Sequence, residues 1–278
     1  MRITDPIQLK NYLRAKNLKP KDYMGQNFLV DEEVLSRIVK VADLKSTDVV
    51  LEVGPGLGVL TGELVDEARE IWAVEKDPKL FYHLKSEFAG EKKIKLVNED
   101  ILRFHVSRNI TSDYKVVANI PYYLTSKLMQ FFLEQPNPPI LMVLMVQKEV
   151  GERVTAQEGE LSILGISVQI YADVEIATSV SKNSFWPVPE VDSVILKITP
   201  RNKFPEITDR KLFFRIIKIA FAGKRKQIQN SLSHGLQLPK QEIGELLHQS
   251  QIDPATRPQD ISIKQWIDLY KVIGLAKK

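Results

Sequence analysis

The chain has 278 residues, 44% of them hydrophobic and 27% charged, with a formal net charge of +4, an ordinary balance for a soluble protein with room for one large and one smaller domain. The absence of cysteine excludes disulfides, thiolate nucleophiles and cysteine-ligated zinc, and the four histidines (His83, His105, His234, His248) show no ligand spacing, so no metal is expected. No apolar run approaches the ~18–20 residues that cross a bilayer, and the N-terminus lacks the charged-then-apolar pattern of a signal peptide; a cytoplasmic protein with no membrane partner is expected.

Residues 1–23 are polar and basic, with Lys10, Arg14, Lys16, Lys19 and Lys21, and read as an arm. They precede GQNFL (residues 25–29) and a helix starting near Asp31, where Val34, Leu35, Ile38 and Val39 recur at helical spacing. Strand and helix then alternate. Val49 to Val53 reads as a buried strand ending in Gly54-Pro55-Gly56-Leu57-Gly58, followed by a helix from Leu57 to Val65. Further strands run from Ile71 to Glu75, from Ile94 to Val97 ahead of Asn98-Glu99-Asp100, and from Val116 to Ala118 ahead of Asn119-Ile120-Pro121-Tyr122-Tyr123. Leu141 to Val146 is a fifth, and Val174 to Val180 with Val191 to Ile198 supply a closing antiparallel pair. Such alternation predicts an open, mostly parallel α/β sheet.

Beyond Pro200 the pattern turns helical: Leu212, Phe213, Ile216, Ile217 and Ala220 share one helix face, and Trp266 and Tyr270, four apart, read as core. From Thr199 onward the chain carries 15 Lys and Arg against 7 Asp and Glu; the remainder carries 24 against 28. An acidic body with a basic C-terminal segment is a footprint of polyanion binding. The predicted domains are residues 1–200, with the arm 1–23, and a small all-helical domain, 201–278.

The special residues sit at the C-terminal ends of predicted strands, the edge where ligands bind an open α/β sheet. Glycines after the first strand permit a tight turn and close approach to a ligand. Glu75, about 20 residues on, suits the two hydroxyls of a ribose. Those features fit a nicotinamide dinucleotide as well as S-adenosylmethionine, and alone they also fit a plain glycine turn. Two others point away from the dinucleotide. The G-x-G-x-G spacing lacks the glycine that packs helix closely on strand, and Asp100 offers a carboxylate to an adenine amine. The sharpest signal is Asn119-Ile120-Pro121-Tyr122. Adenine N6 is a poor nucleophile because its lone pair is delocalised into the ring. An amide oxygen and a backbone carbonyl accepting its two N–H groups would favour a tetrahedral nitrogen; proline fixes the loop, and Tyr122 offers a flat face to an unstacked base. Taken alone, the same residues also suit an ordinary turn.

Nine blocks in order, GQNFL (25–29), EVGPGLG (52–58), Glu75, NED (98–100), NIPYY (119–123), VQKEVGERV (146–154), GELSIL (159–164), FWPVPEVDS (185–193) and AFAGKRKQIQNSL (220–232), resemble the ribosomal RNA adenine dimethyltransferases of the small-subunit dimethyladenosine transferase family. The resemblance implies a Rossmann-like class I S-adenosylmethionine methyltransferase sheet with a helical, RNA-binding C-terminal domain. It implies two successive N6 methylations on two adjacent adenines near the 3′ end of small-subunit rRNA, with that rRNA or the assembling 30S particle as partner and no DNA. It further implies that Asn27 and Leu29 close over S-adenosylmethionine, that Gly54 meets its amino-acid end, Glu75 its ribose and Asp100 its adenine, and that Asn119 both touches the cofactor and faces the transfer site. Phe185 would sandwich the target base with Tyr122, and Lys224, Arg225 and Lys226 would contact RNA phosphate. The family's base loop reads F-x-P-P-P followed by a basic residue, whereas this chain has Val188 and Glu190 there. Rival expectations are an erythromycin-resistance type methyltransferase acting on large-subunit rRNA, a non-catalytic ribosome-assembly factor, and a DNA adenine methyltransferase, for which no residue specifically speaks.

Overall fold

Apolar runs flanked by turn residues become strands, and their neighbours in space follow from the crossover helices between them. In the computed structural model, which describes residues 5–21, 24–201, 204–223 and 226–276, the strands are β1 (Phe28–Leu29), β2 (Val49–Val53), β3 (Glu70–Glu75), β4 (Ile94–Asn98), β5 (Lys115–Asn119), β6 (Leu141–Gln147), β7 (Ala172–Val180), β8 (Phe185–Trp186) and β9 (Ser193–Pro200). Seven of them form one sheet in the order β4-β3-β2-β5-β6-β9-β7. From β4 to β6 the pairs are parallel, as predicted, and β9 runs antiparallel to β6, with β7 beside it at the sheet edge. The central strand β2 is buried at every position, the near-continuous apolar character of a parallel strand covered on both faces.

The chain leaves β2 toward β3 and β4 on one side, then returns to build β5 and β6 on the other. The order of strands therefore reverses between β2 and β5, and the crevice outside their C-terminal ends is where an open α/β sheet binds ligands. Helices Glu32–Ala42 and Val59–Glu67 cover one face, burying Val34, Leu35, Ile38, Leu60 and Leu64 against Val50, Ile71, Val117 and Val143. The first begins at Asp31, whose carboxylate accepts from the Glu33 and Val34 amides, a cap that contributes ~1 kcal/mol.

Two expectations about boundaries need correction. The basic arm contains a helix, Pro6–Ala15, capped by Asp5 through the Ile7 amide at 2.6 Å. Leu9 and Leu13, four apart, are buried with Phe28, Val30, Leu57 and Leu80, so most of the arm is part of the packed α/β unit while Lys10, Lys16 and Lys19 stay exposed. The second concerns residues 152–172. The chain divides into Met1–Gly151 with Asp173–Pro200, and Glu152–Ala172 with Arg201–Lys278. The chain passes between the two units at 200/201, and 152–172 belongs with the helical unit. The reason is apolar: Leu161, Ile166 and Ile170 share a core with Phe213, Ile217, Leu232, Leu247 and Trp266. The backbone adds to it, since the Gly159 and Leu161 amides both donate to the Gln259 carbonyl. In that unit Trp266 and Tyr270 are core residues, as expected. No helix among the described residues is long and apolar enough to cross a membrane.

Candidate active site

A cavity of about 290 Å³ opens at the strand-order reversal, and nine sequence-predicted residues line it: Asn27, Leu29, Gly54, Glu75, Asp100, Asn119, Pro121, Tyr122 and Phe185. They come from six separate stretches of chain, all within the α/β unit.

The glycine loop after β2 forms one wall. Gly54 and Gly56 have φ of +65° and +62°, a region that costs an L side chain ~1–2 kcal/mol. A Cβ at Gly54 would meet no atom within 4 Å, so the backbone there lies bare to the cavity. Gly58 has a different task. A Cβ on it would come within 2.6 Å of Phe88 and 2.9 Å of Leu84, so this glycine permits close packing of the following helix against Pro78–Glu87. The loop therefore does have a packing glycine, serving a helix–helix contact instead of the helix–strand contact of the dinucleotide fingerprint.

Glu75 ends β3. One carboxylate oxygen accepts from the Gly56 amide at 3.1 Å and the other from the Asp77 amide at 2.8 Å. Each oxygen keeps a further lone pair, which leaves a forked acceptor facing the cavity. Burial raises its pKa, against the pull of those two amides. At the end of β4, Asp100 accepts from Lys76 Nζ at 2.8 Å and from the Leu102 amide at 3.1 Å. Burial alone would raise this carboxyl, but those two hydrogen bonds outweigh it and hold it below its ordinary value.

The opposite wall carries no carboxylate among the described residues. Asn119 is the last residue of β5, in register with Met145 of β6. Pro121 follows with φ −57°, and Tyr122–Leu124 makes one tight helical turn closed by the Leu124 amide on the Pro121 carbonyl. The Tyr122 hydroxyl lies 2.9 Å from Ser193 Oγ, and burial raises its pKa despite that contact. Phe185 is 1% exposed and packs in the core beneath the sheet face, contributing to the cavity wall as a buried ring. It pairs with Leu29 in a two-residue ribbon, β1 with β8, which joins the GQNFL segment to the FWPVP loop.

Three features lie beyond the sequence reading. Glu52, inside β2, is 1% exposed and accepts from the Thr61 hydroxyl at 2.6 Å. Burial pushes its carboxyl up to about 8, with the Thr61 hydrogen bond opposing and the Glu75 charge adding, so it is neutral at pH 7; an acid within an otherwise apolar strand was its signal. Asp77, 2% exposed, is gripped by Lys21 at 2.6 Å and by Gln26, fastening the segment before Asn27. Ser193 gave no local sign, standing 71 positions from Tyr122. Of the basic triplet, Lys226 is an exposed residue of the helical unit, whereas Lys224 and Arg225 lie outside the described residues. Among the described residues no group of three His, Asp or Glu is placed to hold a metal ion.

The sequence profile described as "Ribosomal RNA adenine dimethylase" matches residues 17–274. The chain belongs to that family. A ribosomal RNA small subunit methyltransferase A of Dehalococcoides mccartyi (strain CBDB1) is 40% identical to it over 262 residues, 93% of this chain and 90% of that protein. The protein of the same name from Bacillus mycoides (strain KBAB4) is 34% identical over 287 residues, 99% and 98% of the two chains. Among solved structures, the 23S rRNA methyltransferase ErmE superposes with a TM-score of 0.71 at 28% identity, over 89% of this chain and 100% of that one. A dimethyladenosine transferase from Plasmodium falciparum shares the fold, with a TM-score of 0.74 at 24% identity over 87% and 95%. Val188 and Glu190, the two positions that depart from the expected base-loop pattern, are both exposed, so neither side chain belongs to the packed part of that loop.

Proposed function

We propose that this adenine dimethylase transfers methyl groups from S-adenosylmethionine to the N6 amines of two adjacent adenines near the 3′ end of small-subunit rRNA, acting on that RNA within the assembling small subunit. The observation that carries the reading is the convergence of nine predicted residues on one cavity at the strand-order reversal. The relatives named for the small subunit match almost end to end, which favours that substrate over duplex DNA. The likeness to ErmE keeps large-subunit rRNA as the second reading.

The cavity fits the methyl donor: Gly54 leaves bare backbone where a Cβ would have open space, and Glu75 has unused lone pairs after its two amide contacts. Bound there, S-adenosylmethionine supplies an electrophilic methyl carbon on a sulfonium. Gly54 would take its amino-acid end, Glu75 its ribose hydroxyls and Asp100 its adenine amine, under cover of Asn27 and Leu29. The Asn119 side-chain oxygen and a loop carbonyl would accept the two N–H groups of the target amine, leaving its lone pair free for the donor's methyl carbon; the C–N bond would form as the C–S bond breaks, with the thioether as leaving group and one N–H proton passing to solvent. Pro121 holds that loop in shape. Tyr122 receives the flipped base on its ring, and the buried Phe185 closes the base pocket from the other side. Catalysis here is positioning and fixed dipoles. Lys224, Arg225 and Lys226 contact RNA phosphate, orienting the substrate without reading its sequence.

The test is incubation of the protein with tritiated S-adenosylmethionine and undermethylated small subunits, large subunits or duplex DNA, followed by nucleoside identification, with Asn119→Ala as control. Label in N6,N6-dimethyladenosine from small subunits alone is the expected result. Label confined to large subunits selects the second reading, and no label anywhere, with cofactor binding intact, favours an assembly factor.

A further inference from the structure

Tyr122 and Tyr123 are adjacent in sequence but placed differently. The Tyr122 hydroxyl is tied to Ser193, while Tyr123 is 58% exposed at the cavity mouth, its hydroxyl without a hydrogen-bond partner among the described residues. The ring is nevertheless backed. A Cβ on Gly25 would stand 3.7 Å from Tyr123 Cδ1, so one side rests against the GQNFL segment and the rest faces solvent. Four residues on, at the start of the helix Thr125–Leu133, lies Lys127, exposed and lining the same cavity. The other lysine on this lining, Lys76, is committed to Asp100 at 2.8 Å. Lys127 has no carboxylate in salt-bridge range among the described residues.

An exposed aromatic beside an uncommitted cation, at the rim of a pocket that receives one unstacked base, suits a second nucleotide. Flipping one base removes the stacking partner of its neighbour, and an aromatic ring at the rim replaces that partner in any sequence context. A lysine one turn away is placed for the intervening phosphate. We infer that Tyr123 and Lys127 form a subsite for the nucleotide adjacent to the target, Tyr123 stacking its base and Lys127 pairing its phosphate, in single-stranded RNA. This inference rests on the proposed RNA methyltransferase reading and adds a binding subsite to it.

The probe is a fluorescein-labelled single-stranded RNA containing two adjacent adenines, its affinity measured by anisotropy for wild type, Tyr123→Ala, Tyr123→Phe and Lys127→Ala. S-adenosylmethionine affinity is measured in parallel by calorimetry. Tyr123→Ala is expected to weaken RNA binding about tenfold, within the ~5- to 150-fold spanned by base–aromatic stacking, with cofactor affinity changed less than about twofold. Tyr123→Phe should bind RNA as wild type does. Lys127→Ala should weaken binding a few-fold and lower the slope of log K against log salt by about 1. RNA affinity untouched by Tyr123→Ala, or cofactor affinity falling by the same factor, overturns the subsite. The two readings separate. Methyl transfer by wild type with Tyr123→Ala still binding RNA normally sinks the subsite alone. Absence of methyl transfer together with Tyr123-dependent RNA binding keeps the subsite and sinks the proposed reaction.

Discussion

The two ends of the cavity are built from opposite materials. At the β3–β4 end the polar groups are carboxylates, Glu75 and Asp100, each restrained by backbone amides, and Asp100 also by Lys76. At the β5 end they are an amide, Asn119, and a phenol, Tyr122, held by a serine. A ligand rich in hydroxyl and amine donors is gripped by charged acceptors, because charge-assisted hydrogen bonds are the stronger kind. A reacting amine needs acceptors that orient its hydrogens while its lone pair attacks, and a neutral amide does that. Under the proposed reaction, the contrast separates holding from transferring.

The sharpest way to break this division is Asn119→Ala. It should lower kcat by ~10²–10³, the scale of removing one preorganised polar group from a transition state, while calorimetry finds S-adenosylmethionine affinity nearly unchanged. A parallel loss of cofactor affinity would merge the two ends. Glu75→Gln is the complementary test: it sets an amide donor against a backbone N–H and removes a charged acceptor. Cofactor affinity should fall by about 10- to 100-fold, from ~1.5–3 kcal/mol per hydrogen bond to a charged group, with kcat at saturating cofactor much less affected.

Glu52 sharpens the comparison through pH. It is an acid on the charged side that is nevertheless neutral, its pKa raised from 4.5 to about 8 in the folded chain. Folding therefore takes up a proton between those values, and this contribution to stability is present below pH 4.5 and is lost as pH rises toward 8. Glu52→Gln removes the dependence. Across pH 5.5 to 7.5 the variant should gain on wild type by roughly 1 kcal/mol per pH unit, read from paired thermal melts; parallel curves would mean that Glu52 ionises freely. The smallest effect expected is at the neutral end. Ser193→Ala should lower kcat by about threefold, the ~0.5–1 kcal/mol of one neutral hydrogen bond, and should have no further effect in a Tyr122→Phe background, where the hydroxyl it positions is gone.

The sheet was legible because its strands are apolar runs that stop abruptly at residues of special chemistry, and both periodicity and punctuation are local. The nine cavity residues followed for the same reason, since each stands at a strand end or in a motif. What escaped was settled by distant partners. The Pro6–Ala15 helix carries only Leu9 and Leu13 as buried apolar residues, too thin a stripe to stand out among lysines, although Asp5-Pro6 is an N-terminal helix signal. Residues 152–172 read as a continuation of the sheet domain because nothing within them shows that Leu161 and Ile166 meet Phe213 and Trp266. The Tyr122–Ser193 contact and the grip of Lys21 and Gln26 on Asp77 join segments that no pattern relates.

The short ribbon between β1 and β8 carries a consequence for the order of folding. It joins Leu29 to Phe185, and beside it the Ser184 hydroxyl donates to Asp31 at 2.7 Å across 153 positions of chain. Contacts of such separation close only after the intervening chain has lost most of its freedom, and two residue pairs give little in return. The cavity is accordingly completed last and opens first: amide exchange at residues 28–30 and 184–186 should outpace that of β2 and β5, and a chain able to bind its ligands is one whose α/β unit has already finished folding.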